Sequence, residues 1–99
     1  MIAIKKILHV EDEPDIREVA RLALEAVGGF AVESCASGED ALAKAPGFKP
    51  DIVLLDVMMP GMDGPTTLRR LRALPGFERT PVIFMTAKAM PQEIERFKE

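Results

Sequence analysis

Asp56 closes an unbroken apolar run, Ile52 to Leu55, and a Pro/Gly-punctuated loop, Val57-Met-Met-Pro-Gly-Met-Asp-Gly64, follows at once. Glu11 and Asp12 close a second run, Ile7 to Val10, and Thr86 closes a third that begins at Pro81. Taken alone, Asp56 also fits a simple loop cap, so the grouping decides. Two carboxylates ~4 Å apart repel by ~4 kcal/mol at an effective dielectric of 20. Three would remove much of the ~5–15 kcal/mol that stabilises a typical domain. Such a cluster is tolerated only if it holds a cation, shares protons or stays spread in water. Oxygen ligands with no histidine or cysteine beside them favour Mg²⁺, which keeps several waters and pairs with substrate phosphate. A metal-bound carboxylate beside a Thr hydroxyl and a lysine suits phosphoryl transfer onto aspartate, with the carboxylate as nucleophile. Mg²⁺ would neutralise phosphoryl oxygens while hydroxyl, amine and backbone N–H donors hold the rest.

These residues converge only if the elements before them form one sheet. Pro50 and Pro60 leave too little room for a helix around Ile52–Leu55, so that run reads as a strand buried on both faces. Pro14 opens a helix after strand one, with Glu13 or Asp12 able to cap it. Its buried stripe is expected at Ile16, Val19, Ala20, Ala23 and Val27, with Asp15, Arg17, Glu18, Arg21 and Glu25 on the wet face. Gly28 and Gly29 stop it. Phe30 to Cys35 is a more polar strand, as an edge strand would be. Ser37-Gly-Glu-Asp40 is a capping-box variant opening a short helix, Gly38 to Ala45, ended by Pro46-Gly47. Asp63-Gly64-Pro65 opens the next helix, with Leu68, Leu71 and Leu74 buried and Arg69, Arg70 and Arg72 solvated. Pro81 to Thr86 is strand four, and a last helix begins at Pro91. This β-α-β-α-β-α-β-α order predicts an α/β fold, a doubly wound parallel sheet with helices on both faces. Strands one and three then flank the switch point, and their acidic ends share one crevice.

Composition narrows the class. Ninety-nine residues make one small domain with 13 basic against 16 acidic residues, and no field that would draw nucleic acid or a membrane. No apolar run approaches membrane-spanning length and no leader peptide is visible. The one cysteine, Cys35, excludes an internal disulfide and suits a reducing cytoplasm. His9 sits inside the first apolar run and has no second histidine with which to complete a metal set. The three arginines of the third helix read as a solvated face in a chain of net charge -3.

Ile7-Leu-His-Val-Glu-Asp-Glu-Pro14, Leu54-Leu-Asp-Val-Met-Met-Pro-Gly-Met-Asp-Gly64 and Pro81-Val-Ile-Phe-Met-Thr-Ala87 resemble the receiver domain of bacterial two-component response regulators, in order and along essentially the entire chain. The resemblance implies a flavodoxin-like sheet with strand order 2-1-3-4 and phosphorylation of Asp56 by a histidine kinase or phosphotransfer protein. It places Asp12, Asp56 and the backbone carbonyl of Met58 on Mg²⁺, with Glu11 behind a bound water. It makes Thr86 the hydroxyl that swings toward the phosphoryl group. Output is then altered binding to a partner, without turnover of a separate substrate. Met58 offers no group to position an attacking water, so the phosphoryl group is expected to be long-lived.

The resemblance also has gaps. The family carries a fifth strand with a phosphate-binding lysine and a mobile aromatic, and residues 1–99 stop before it; Lys88 is not that lysine. Strand four would then offer an open edge, so the expectation is a domain incomplete at its C-terminal end that is unstable, dimerises or swaps elements. A degenerate receiver serving as a dimerisation or structural unit is the alternative. An aspartate-nucleophile phosphatase would need an acid where Met58 stands. A flavin-binding carrier would need a phosphate loop where Glu11-Asp12-Glu13-Pro14 would repel phosphate.

Overall fold

A computed structural model of the chain describes residues 3–85. Thr86, Lys88 and the helix expected from Pro91 lie outside those residues. Four strands, β1 (Lys6–Val10), β2 (Ala31–Cys35), β3 (Ile52–Asp56) and β4 (Val82–Met85), form one parallel sheet of order β2-β1-β3-β4. Three helices, α1 (Pro14–Ala26), α2 (Gly38–Phe48) and α3 (Gly64–Ala73), connect them. The doubly wound sheet expected from the alternation is the observed one.

Register follows from which side chains are apolar. Leu8 lies beside Glu33 and Val53, and Val10 beside Cys35 and Leu55, so one face gathers Leu8, Val10, Cys35, Val53 and Leu55. That face packs on Ala41 and Ala45 of α2, Leu71 of α3 and Phe77 beyond it. A one-residue slip would send this whole set to the other face, so the register is strongly fixed. Cys35 is fully enclosed, and burial pushes its thiol up to about 12, which leaves it almost without thiolate at neutral pH.

Side-chain caps set two of the helix starts. Ser37 Oγ accepts from Asp40 N–H at 3.0 Å, while Asp40 Oδ2 accepts from Ala36 N–H at 3.1 Å. The return bond of the expected box therefore reaches one residue further back. Asp63 Oδ1 accepts from Thr66 N–H at 2.9 Å, and Pro65 occupies the first turn of α3.

Three expectations need correction. Pro46 does not end α2: the helix runs on to Phe48, and Lys49, left-handed at φ 55°, donates its N–H to Ala45 O at 2.9 Å. A proline in the last turn removes one donor without stopping the turn around it. Arg72 is half-buried, and its Nη1 donates to the carbonyls of Phe77 and Thr80, pinning the α3–β4 connection. Finally, α1 buries none of its residues fully, and Val19 and Val27 are exposed. The helix is rotated so that Ile16, Arg17, Ala20, Arg21 and Leu24 are half-buried instead. Long arginine stems can cover apolar surface while their heads find polar partners.

Candidate metal centre at the strand ends

Backbone bonding carries the acidic residues past the ends of their strands. Glu11 N–H donates to Cys35 O at 3.0 Å, extending the β1–β2 ladder by one residue. Val57 N–H donates to Met85 O at 3.2 Å and does the same between β3 and β4. Glu11 and Asp56 are both 1% exposed, and Asp12 is half-buried. Carboxylate oxygens of Glu11, Asp12 and Asp56 all lie within 4.8 Å of one another. The two acidic strand ends predicted to share a crevice do so.

Local bonds orient each carboxylate. Glu11 Oε2 accepts from Glu13 N–H at 2.9 Å, and Asp56 Oδ1 accepts from Met58 N–H at 3.3 Å. Burial, then the negative charge of Glu11, push the Asp56 carboxyl from 3.8 up to about 6, against the pull of the Met58 N–H. His9, 2% exposed and two residues before Glu11, is held below the ordinary imidazole range by burial, which outweighs the attraction of Glu11.

The loop after β3 depends on two glycines. Gly61 has φ +75°, which the turn after Pro60 requires at its third position. Gly64 lies so close to the end of β3 that a Cβ would stand 2.5 Å from Asp56 O and 2.9 Å from Val57 Cα. Its N–H donates to Val57 O at 3.0 Å. A cleft of about 560 Å³ opens beside the acids, lined by Asp12, Glu13, Val57, Met58, Met59 and Pro60 among others.

The donor set suits a hard divalent cation. It is all oxygen, comes from two elements, and includes an Asp56 carboxyl held above its ordinary value, which a nearby positive charge would bring back down. The structure brings Glu11, Asp12 and Asp56 together, and Met58 meets Asp56 through its N–H; Thr86 falls outside the described residues. Two contributors escaped the sequence reading: Gly64, beneath Asp56, and Arg17, whose Nη1 donates to Glu11 O at 2.9 Å and Asp12 O at 3.4 Å. Its spacing from Asp12 was visible, but its inward direction was not.

The family profile described as the response regulator receiver domain matches residues 7–99. The chain belongs to that family. This receiver domain is 45% identical over 83 residues to the transcriptional regulatory protein CseB of Streptomyces coelicolor, covering 84% of this chain and 34% of that protein. It spans about a third of the length of CseB and of the Bacillus subtilis transcriptional regulatory protein ResD, and less of some other curated relatives it matches. The Vibrio cholerae chemotaxis protein CheY4 superposes with TM-score 0.81 at 32% identity, over 97% of this receiver domain and 79% of that chain. The receiver domain of sensor histidine kinase PA1611 from Pseudomonas aeruginosa, solved with magnesium coordinated in its active-site cleft, gives 0.79 at 33% identity, over 94% and 75%. No helix among the described residues is long and apolar enough to cross a membrane.

Proposed function

We propose that this receiver domain acts in the cytoplasm, where it takes a phosphoryl group onto Asp56 from a phosphohistidine of a histidine kinase or phosphotransfer protein, and that the phosphorylated form binds a downstream partner differently. The observation that carries this reading is the gathering of three carboxylates from two strand ends within 4.8 Å. Glu11, Asp12 and Asp56, with the Met58 carbonyl, would hold the Mg²⁺ that the family uses. When bound, that ion supplies Lewis-acid neutralisation of the phosphoryl oxygens and favours the ionised form of Asp56.

A carboxylate oxygen of Asp56 attacks phosphorus, forming an O–P bond as the P–N bond to the donor imidazole breaks and its electron pair leaves with the ring nitrogen. The product is an aspartyl phosphate. Met58 N–H, already on Asp56 Oδ1, orients the nucleophile. Thr86 donates its hydroxyl to a phosphoryl oxygen of the product. No separate substrate is turned over. The test is ¹⁹F NMR after adding beryllofluoride, which mimics the phosphoryl group. The protein should give bound fluoride resonances with Mg²⁺ that disappear in Asp56→Asn; resonances that persist in that variant would sink the assignment.

Pairing of two copies along β4 is a second reading, favoured by the exposure of Ile83 and Phe84 on that strand. Sedimentation coefficients that rise with concentration are expected; a monomer at every concentration rules it out.

A further inference from the structure

We propose that Arg17 is a positioning residue for the cation site, fixing the direction in which Asp12 presents its carboxylate. The inference rests on the proposed role of Glu11, Asp12 and Asp56. The turn between β1 and α1 carries three consecutive acids, Glu11, Asp12 and Glu13, which repel one another. Glu13 occupies the N-cap of α1 but provides no side-chain cap. Within the turn, Glu13 N–H donates to Glu11 Oε2 at 2.9 Å, a bond that spans Asp12.

Arg17 adds an anchor from outside the turn. Its Nη1 reaches back from the first turns of α1 and donates to the carbonyls of Glu11 and Asp12, at 2.9 and 3.4 Å. Those carbonyls belong to the two peptide planes that flank the Asp12 Cα. Peptides are planar, so anchoring both planes leaves the φ and ψ of Asp12 little freedom and fixes the direction of its Cβ. Glu11 is restrained beside it by the ladder bond to Cys35 O and the Glu13 N–H on its own carboxylate. The rotation of α1 that leaves Arg17 half-buried aims the guanidinium at the turn. A lysine keeps the charge, but its ammonium ends one bond short of where Nη1 stands, so it does not reach both carbonyls in the same geometry.

Positioning and charge act in opposite directions here. A guanidinium near the site repels an incoming cation, so removing it should tighten binding if charge were its whole effect. Removing an anchor that aims a ligand should weaken binding, typically by 10-fold or more. Calorimetric titration of Mg²⁺ into the wild-type chain, Arg17→Met, Arg17→Lys and Asp56→Asn separates these effects. Circular dichroism in EDTA would establish that each protein is folded at the titration temperature. Both Arg17 variants should bind Mg²⁺ about 10-fold or more weakly than wild type, although Arg17→Lys keeps the charge. Wild-type affinity in folded Arg17→Lys, or unchanged or tighter binding by folded Arg17→Met, overturns the proposal. If Arg17→Met does not fold, Arg17→Lys alone decides. Should the wild-type chain itself bind no Mg²⁺, the reading of the acidic site fails as well, a result distinct from variants that bind like wild type.

Discussion

Asp56→Asn is expected to raise the melting temperature in EDTA at pH 7.5 by ~10 °C. Asp56 is buried against Glu11, and the two together push its carboxyl to about 6 from an ordinary 3.8. The folded state thus binds this proton more tightly than the unfolded chain does. Below the unfolded value both states are protonated and the group is neutral to stability. As pH rises toward about 6 the unfolded chain ionises first, and folding loses stability until both states are ionised. At ~1.4 kcal/mol per pH unit the loss approaches ~3 kcal/mol, and water in the adjacent cleft screens it to ~2 kcal/mol. A domain of this size changes its melting temperature by ~4–8 °C per kcal/mol. An asparagine keeps an oxygen for the Met58 N–H and removes the charge. The gap between variant and wild type should stay constant above about 6 and close as the pH falls from there through 3.8. His9 acts in the opposite sense: its lowered value means that stability is lost as pH falls. It is present in both proteins, so it cancels in the difference. Equal melting temperatures at pH 7.5 would show that the acids do not repel as the geometry requires.

Gly64→Ala is expected to destabilise by ~3 kcal/mol or more, at the upper end of overpacking effects. The added methyl would meet Asp56 O at 2.5 Å and Val57 Cα at 2.9 Å, both main chain, with the Phe84 ring at 3.2 Å. A side-chain tip can swing away, but the end of β3 cannot move without shifting Asp56. The variant should melt more than ~10 °C lower. Gly47→Ala is the control, since a Cβ there meets nothing within 4 Å inside α2. It should be neutral or slightly stabilising, because alanine is the better helix former. Comparable losses in both variants would mean that close approach at Gly64 is not the cause.

The difference between legible and illegible residues has a physical basis. Glu11, Asp12 and Asp56 could be placed because each ends an apolar run bounded by proline or acidic residues, and parallel strands gather their carboxyl ends. Asp63 and Ser37 were readable as caps because their chemistry is local. Arg17 and Arg72 were not, because an arginine on a helix exposes its polar head in the pattern of hydropathy, while its carbonyl partners lie on neighbouring turns. The orientation of α1 was missed for a related reason. Several apolar residues compete to face the sheet, and packing against β1 and β2 chose Ala20 and Leu24 over Val19 and Val27. Pro46 misled because its effect depends on how much helix remains after it.

If acids from two strand ends share a divalent cation, Asp56 should accept a phosphoryl group only when that cation is present. Intact-mass spectrometry after incubation with a small-molecule phosphodonor would read this out. Wild-type protein with Mg²⁺ should gain the mass of one phosphoryl group, and neither wild type in EDTA nor Asp56→Asn with Mg²⁺ should gain any. The same gain in Asp56→Asn, or no gain in wild type with Mg²⁺, would rule out phosphotransfer to Asp56.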